Sequence, residues 1–109
     1  MIKELQTDST FDYLKVRILS KNGPRMVGKS RKNFVTDLLI IDLNGDTCTM
    51  TVWGKKEADD YRVGKIIEIF DGWCKMYNEV KQVSLGRKGV VTHLDKDDPN
   101  IPRSIAQEE

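Results

Sequence analysis

The stretch Asp42-Leu-Asn-Gly-Asp-Thr-Cys-Thr-Met-Thr-Val-Trp53 constrains the fold more than any other part of the chain. Asn44-Gly45 is a strong hairpin signal, because Asn and Gly accept the positive φ of a tight turn. Behind it the residues alternate with the period of a β-strand. Cys48, Met50 and Val52 form an apolar face, and Thr47, Thr49, Thr51 and Trp53 form a polar one. A tryptophan on the wet side of a strand needs a reason, and stacking on something flat and polar, such as a nucleobase, is a good one.

Further strand-like segments flank this hairpin. Leu14, Val16 and Ile18 alternate with Lys15 and Arg17, as in a half-buried strand. Residues 20–32 contain Asn22-Gly23-Pro24 and Gly28 and predict a long basic loop. Residues 34–41 are apolar and β-branched, predicting a second strand that the hairpin joins to a third at 47–53. Residues 55–61 are too short and too charged for more than a helical turn. A fourth strand is expected at 65–70, able to run on to Cys74, then a turn at Tyr77-Asn78-Glu79. A fifth is expected at 80–85, with 90–94 able to extend the sheet. After Leu94 the composition shifts to Asp, Pro, Asn and Glu, so 1–94 is expected to be the folded domain and 95–109 a flexible acidic and polar tail. This order predicts an all-β chain with an OB-fold, a five-stranded closed Greek-key barrel with a long basic loop between strands 1 and 2. An SH3-like barrel is the structural competitor, but it joins its third and fourth strands by a tight turn.

A chain of 109 residues closes one core with little apolar surface to spare. No apolar run approaches the ~18 residues of a membrane span, and Met1-Ile-Lys-Glu-Leu5 lacks an apolar signal core, so no membrane partner and a cytoplasmic location are expected. Cys48 and Cys74 stand alone, with His93 as the one histidine and no CxxC pair, so neither zinc nor any other cofactor is expected. The net charge of +1 announces no polyanion partner, but the charges are unevenly distributed. Lys15, Arg17, Lys21, Arg25, Lys29, Arg31 and Lys32 follow one another without an acid between them. Lys81, Arg87 and Lys88 form a second group, whereas acids collect at Glu57, Asp59 and Asp60 and at Asp95, Asp97 and Asp98. That layout implies one basic face.

Gly23-Pro-Arg-Met-Val-Gly28-Lys29-Ser30 matches the phosphate-binding loop of nucleotide hydrolases. That chemistry needs a helix directly after Ser30, and strand-like sequence follows instead. No Ser-His or Cys-His dyad and no G-x-S-x-G is present, so no enzymatic activity is expected.

Phe70-Asp-Gly-Trp-Cys-Lys-Met-Tyr77 brings Trp73, Lys75 and Tyr77 to the end of the fourth strand, and Gly72 suggests a bulge or a close backbone approach. Interleaved aromatics and bases suit a single strand, because rings stack on bases while Lys and Arg follow phosphates. Here the chain resembles a family. Thr51-Val-Trp53-Gly, Gly64-Lys-Ile-Ile-Glu-Ile-Phe-Asp-Gly-Trp73, Tyr77 and Gln82-Val-Ser-Leu-Gly-Arg87 are similar to the OB domains of archaeal single-stranded-DNA-binding proteins and of replication protein A. The resemblance implies single-stranded DNA binding with little sequence preference, in replication and repair, with Trp53, Trp73 and Tyr77 stacking on bases. Lys15, Arg17, Lys29, Arg31, Lys32, Lys75 and Arg87 would line the backbone path, and Thr49 and Thr51 would offer hydroxyls. An RNA-binding OB domain and a protein-interaction OB domain of a larger replication assembly are the alternatives. The simple members' Gly-rich, acid-tipped extension for recruiting partners has no counterpart after Leu94.

Overall fold

The structure is a computed structural model that describes residues 1–29 and 33–105. After a short 3-10 turn (Ile2–Glu4) come β1 (Ser9–Val27), β2 (Asn33–Ile41), β3 (Thr47–Trp53), α1 (Lys55–Asp59), β4 (Ile66–Tyr77), β5 (Val80–Ser84) and β6 (Val90–Leu94). One sheet runs β1-β2-β3-β5-β4-β6, and β1 also pairs with β4, which closes the sheet on itself. All pairings are antiparallel except β3 with β5. β5 and β6 follow one another along the same edge of β4, so they fill the place of a single fifth strand interrupted at residues 85–89. This is the OB-fold.

Period-2 patterning fills the barrel. Leu14, Val16 and Ile18 of β1 point inward, with Leu38 and Ile40, Cys48, Met50 and Val52, Ile67 and Ile69, and Val83 from the other strands. The hairpin expected at Asn44-Gly45 is present, but its geometry differs from a two-residue turn. Only Gly45 has a positive φ, at 86°. The Gly45 N–H donates to Asp42 O and the Asp42 N–H to Asp46 O, which is a wider loop with a bulge at the glycine. Buried Asp42 anchors it by accepting from the backbone N–H groups of Ile2, Asn44 and Asp46 at 2.9, 2.9 and 3.0 Å.

Most of the expected long basic loop is strand. β1 continues to Val27 and pairs with β2 out to Val27↔Asn33, with a register break between Asn22 and Arg25 where Gly23-Pro24 is accommodated. β2 starts at Asn33, so a strand stands where a phosphate-binding loop would require a helix. Arg31 and Lys32 lie outside the described residues.

Two expectations about charge and the tail are corrected together. Arg17 is 1% exposed and faces away from the barrel core, at the position where β1 pairs with Ile41 of β2 on one side and Ile66 of β4 on the other. Its five guanidinium donors are all used. Nε donates to Pro102 O, Nη1 to Gly64 O and Asp97 Oδ1, and Nη2 to Asp98 O and Ile101 O, at 2.6–3.2 Å. The segment after Leu94 is therefore folded back over Arg17 and is not a frayed tail as far as these contacts run. Ile101 is 2% exposed and packs on Ile41 and Ile66. Lys15 Nζ meets Asp98 at 3.1 Å, and Arg103 pairs with Asp97. Arg17 is buried in this clasp and out of reach of a phosphate path, whereas the partly exposed Lys15 is paired with Asp98 at its edge.

Replacing Arg17 with Ala should cost roughly 3–5 kcal/mol by chemical denaturation, the scale for breaking a buried ionic network. Truncation after Leu94 should cost a similar amount, and the two losses should not add. The hydrogen bonds from Arg17 and from Lys15 hold the Asp97 and Asp98 carboxyls, respectively, below the usual carboxylate range. Their contribution is complete above the unfolded value near ~4 and is lost as pH falls through the lower folded values. Asp97→Asn should therefore flatten the acid limb of a melting profile below about pH 4.

Candidate nucleic-acid interface

The outward faces of β1, β2, β3, β5 and β4 form one surface. The β2–β3 register sets Val35 opposite Trp53, Asp37 opposite Thr51 and Leu39 opposite Thr49. Thr49 aligns with Gln82 in the parallel pair, and Gln82 stands opposite Lys75 of β4. At the two ends of β4 and β5, Ser84 faces Trp73 and Val80 faces Tyr77.

β4 reaches this surface through a change of alternation. Ile67 and Ile69 point inward, and so does Cys74, which is buried opposite Val83. The odd-numbered residues thus give way to an even-numbered one. Between them Asp71 takes a left-handed φ of 54°, which reverses the alternation while the register with β1 stays unbroken. This shift turns Trp73, Lys75 and Tyr77 outward. Gly72 is required for close approach, since a Cβ there would lie 2.3 Å from the Phe11 ring.

The aromatics are not core residues. Trp53 is 57% exposed and Tyr77 62% exposed. Trp73 is half-buried and borders a cleft of about 500 Å3 with Thr10, Asp71, Arg87 and Lys88, in the interruption between β5 and β6. Lys75 is exposed between Trp73 and Tyr77, Arg87 is exposed beside Trp73, and Lys29 is exposed beyond the end of β1. These three bases and three aromatics are the expected site residues that the structure leaves available. Thr49 is half-buried on the same face. Thr51 does not offer its hydroxyl outward: it is 7% exposed, donates to Asp37 Oδ1 at 3.4 Å and accepts from Gln82 Nε2 at 2.5 Å.

That bonding belongs to a polar ladder the sequence reading missed. Arg25 Nη2 meets Asp37 Oδ2 at 2.8 Å, so Arg25, Asp37, Thr51 and Gln82 join four strands across the face. The period-2 rule applied to 34–41 could have found Asp37, since an acid inside an apolar strand must face outward. Two other bases are withdrawn from the surface. Lys21 Nζ donates to Ala58 O and Tyr61 O, and Lys81 Nζ to Ile2 O and Lys3 O. Burial pushes the Cys48 thiol up to about 12 and raises Cys74 as well, which keeps both neutral and poor metal ligands. Among the described residues no group of three His, Cys, Asp or Glu side chains could hold a metal ion, and no helix is long and apolar enough to cross a membrane.

No protein-family model matches the chain, and no curated protein matches it by sequence. Solved structures do. A replication factor A related protein from Methanobacterium thermoautotrophicum superposes with a TM-score of 0.69 at 18% identity, over 90% of this chain and 92% of that one. The second OB-fold domain of replication protein A from Methanococcus maripaludis gives 0.69 at 17% identity, over 89% and 95%. A replication protein A heterotrimer bound to single-stranded DNA gives 0.76 at 14% identity, over all of this chain and 27% of that one. At these identities the likeness shows the fold.

The hairpin that presents Tyr77 turns on two non-glycine residues, Asn78 at φ 49° and Glu79 at φ 66°. Asn tolerates that conformation, whereas Glu pays roughly 1–2 kcal/mol for it. Glu79→Gly should raise stability by about 0.5–1 kcal/mol after the added freedom of the unfolded chain is deducted. A neutral or lower denaturation midpoint would show that the turn is not strained.

Proposed function

We propose that this chain binds single-stranded DNA with little sequence preference, stacking bases on Trp53, Trp73 and Tyr77 and drawing phosphates along Lys29, Lys75 and Arg87. The observation that carries the reading is the exposure of Trp53 and Tyr77 on the outer face of β3 and β4, with Lys75 beside Tyr77. Large aromatics left in water lose the burial that stabilises them elsewhere, and a base stack restores it at ~1–3 kcal/mol each. A protein-interaction domain would bury Trp53 or cover it with a partner, and it gives no reason for the bases that accompany the aromatics. The fold shared with replication protein A structures supports a role in DNA replication, with other replication and repair proteins as partners.

Titration with oligo-dT, followed by tryptophan emission, tests the reading. Trp53→Ala should weaken binding by ~1–3 kcal/mol. It should barely change the melting temperature, because the ring is mostly exposed. A large melting loss with unchanged affinity of the folded fraction would remove Trp53 from the site.

Salt gives an independent check. Three exposed bases neutralising about three phosphates should give a slope of roughly −2 in log affinity against log salt, at ~0.7 per phosphate. Lys75→Gln should make it shallower by about 0.7. An unchanged slope would place the phosphate path elsewhere.

A further inference from the structure

We infer that the outer face carries a base-edge pocket between Tyr77 and Asp37 that selects nucleobases bearing an exocyclic amino group, guanine foremost. The inference rests on the single-strand reading above and adds a specificity-determining pair, Asp37 and Gln82. Asp37, Thr49, Tyr77, Val80 and Gln82 line a cleft of about 300 Å3 on that face. A base stacked on the exposed Tyr77 ring would set its edge into this cleft.

The ladder fixes the hydrogen-bonding polarity of the cleft. Gln82 Nε2 donates one of its two hydrogens to Thr51 Oγ1, which orients the amide and leaves its carbonyl oxygen to accept. The Thr51 hydroxyl proton is spent on Asp37 Oδ1. Arg25 holds the other carboxylate oxygen from the β1 side. Each carboxylate oxygen still has acceptor capacity after one bond. Lys81, which also borders the cleft, directs two of its three ammonium hydrogens to Ile2 O and Lys3 O. The Asp37 carboxylate and the Gln82 carbonyl oxygen thus present acceptors to the cleft, while one Gln82 N–H, the Thr51 hydroxyl and Arg25 are engaged within the ladder.

Guanine meets such a cleft with two adjacent donors, N1–H and the N2 amino group. Cytosine and adenine each bring one amino group, as in carboxylate recognition of cytosine N4. Thymine has a single N3–H between two carbonyl oxygens, which would lie against the carboxylate. A site that pairs a substrate's N–H rejects the analogue lacking it, because its own polar groups are left unpaired.

The experiment compares the affinity of the whole chain for oligo-dT, alternating dT-dG and alternating dT-dC of equal length at one salt concentration. The wild type should prefer dT-dG over oligo-dT by about tenfold, within the range of one good base-edge contact, with dT-dC between them. Asp37→Asn should bring the ratio close to one while retaining affinity for oligo-dT, and Gln82→Leu should reduce it in the same direction. Gln82→Leu also carries the test if Asp37→Asn melts too early to be titrated. Equal affinities for the three oligonucleotides, or a preference that survives in the tested variant, would overturn the pocket and leave the single-strand function standing. Failure to bind any of the three would overturn that function itself.

Discussion

One buried charge sits at the seam where the barrel closes, and the segment after Leu94 is arranged to neutralise it. β1 must serve two sheet halves, and Arg17 is the residue at which it pairs with both β2 and β4. On the outer side of that junction the neighbouring positions are Ile41 and Ile66, which water would otherwise cover. The segment after Leu94 folds over all three, burying Ile101 against the isoleucines and closing the guanidinium with three of its backbone carbonyls and the Asp97 carboxylate. A charge taken this far out of water is tolerable only with its donors satisfied. The clasp therefore requires the end of β6 and the residues beyond it to be in place. It lies where β1 crosses between its partners and leaves the outer face of β3 and β5 uncovered.

The strands that were legible are those whose two faces see different surroundings. β3 appears at the expected residues because threonines and core residues alternate without a break. β4 was legible only as far as Asp71. Alternation reverses at the left-handed Asp71 without a change of register, and a period-2 reading has no means of choosing where such a reversal falls. The Asn44-Gly45 signal located the hairpin correctly and mis-set its detail. A two-residue turn would place Leu38 opposite Thr51, whereas the wider loop stabilised by Asp42 places Asp37 there. That one-residue difference decides whether Thr51 faces an apolar side chain or a carboxylate. Arg17 was misjudged for a related reason. Alternation shows which side of β1 it occupies, but only the distant Asp97–Pro102 segment reveals that this side is covered.

Charge was the weakest guide, because composition counts bases without showing which are already engaged. Lys15, Arg17, Lys21, Arg25 and Lys81 are spent on carboxylates or on carbonyls within the chain. What remains beside the exposed aromatics is a small set that includes Lys29, Lys75 and Arg87. In the proposed function such a surface would draw in a polyanion modestly and depend on stacking for much of its affinity, in keeping with a net charge of only +1. The aromatics were the better signal. An exposed tryptophan at the end of a threonine face is costly enough to demand a reason, whereas an exposed lysine demands none.

The backbone supports the same distinction. Four non-glycine residues have positive φ among the described residues, and three of them, Asp71, Asn78 and Glu79, bracket the run from Trp73 to Tyr77. Asp and Asn accept this conformation readily, whereas at Glu79 it costs roughly 1–2 kcal/mol and persists only where the surrounding structure over-determines it. Asp71 makes the backbone reversal that turns Trp73 outward, and Asn78 with Glu79 makes the tight hairpin that keeps Tyr77 in register with Val80. A more relaxed strand would continue the Ile67 and Ile69 alternation past Asp71. That would turn Trp73 and Tyr77 inward and Cys74 and Met76 outward, burying the rings that now stand in water. The backbone therefore acts against burial, the outcome that stability alone would favour for aromatic side chains. Rings that the backbone itself holds in water are what the proposed base stacking requires.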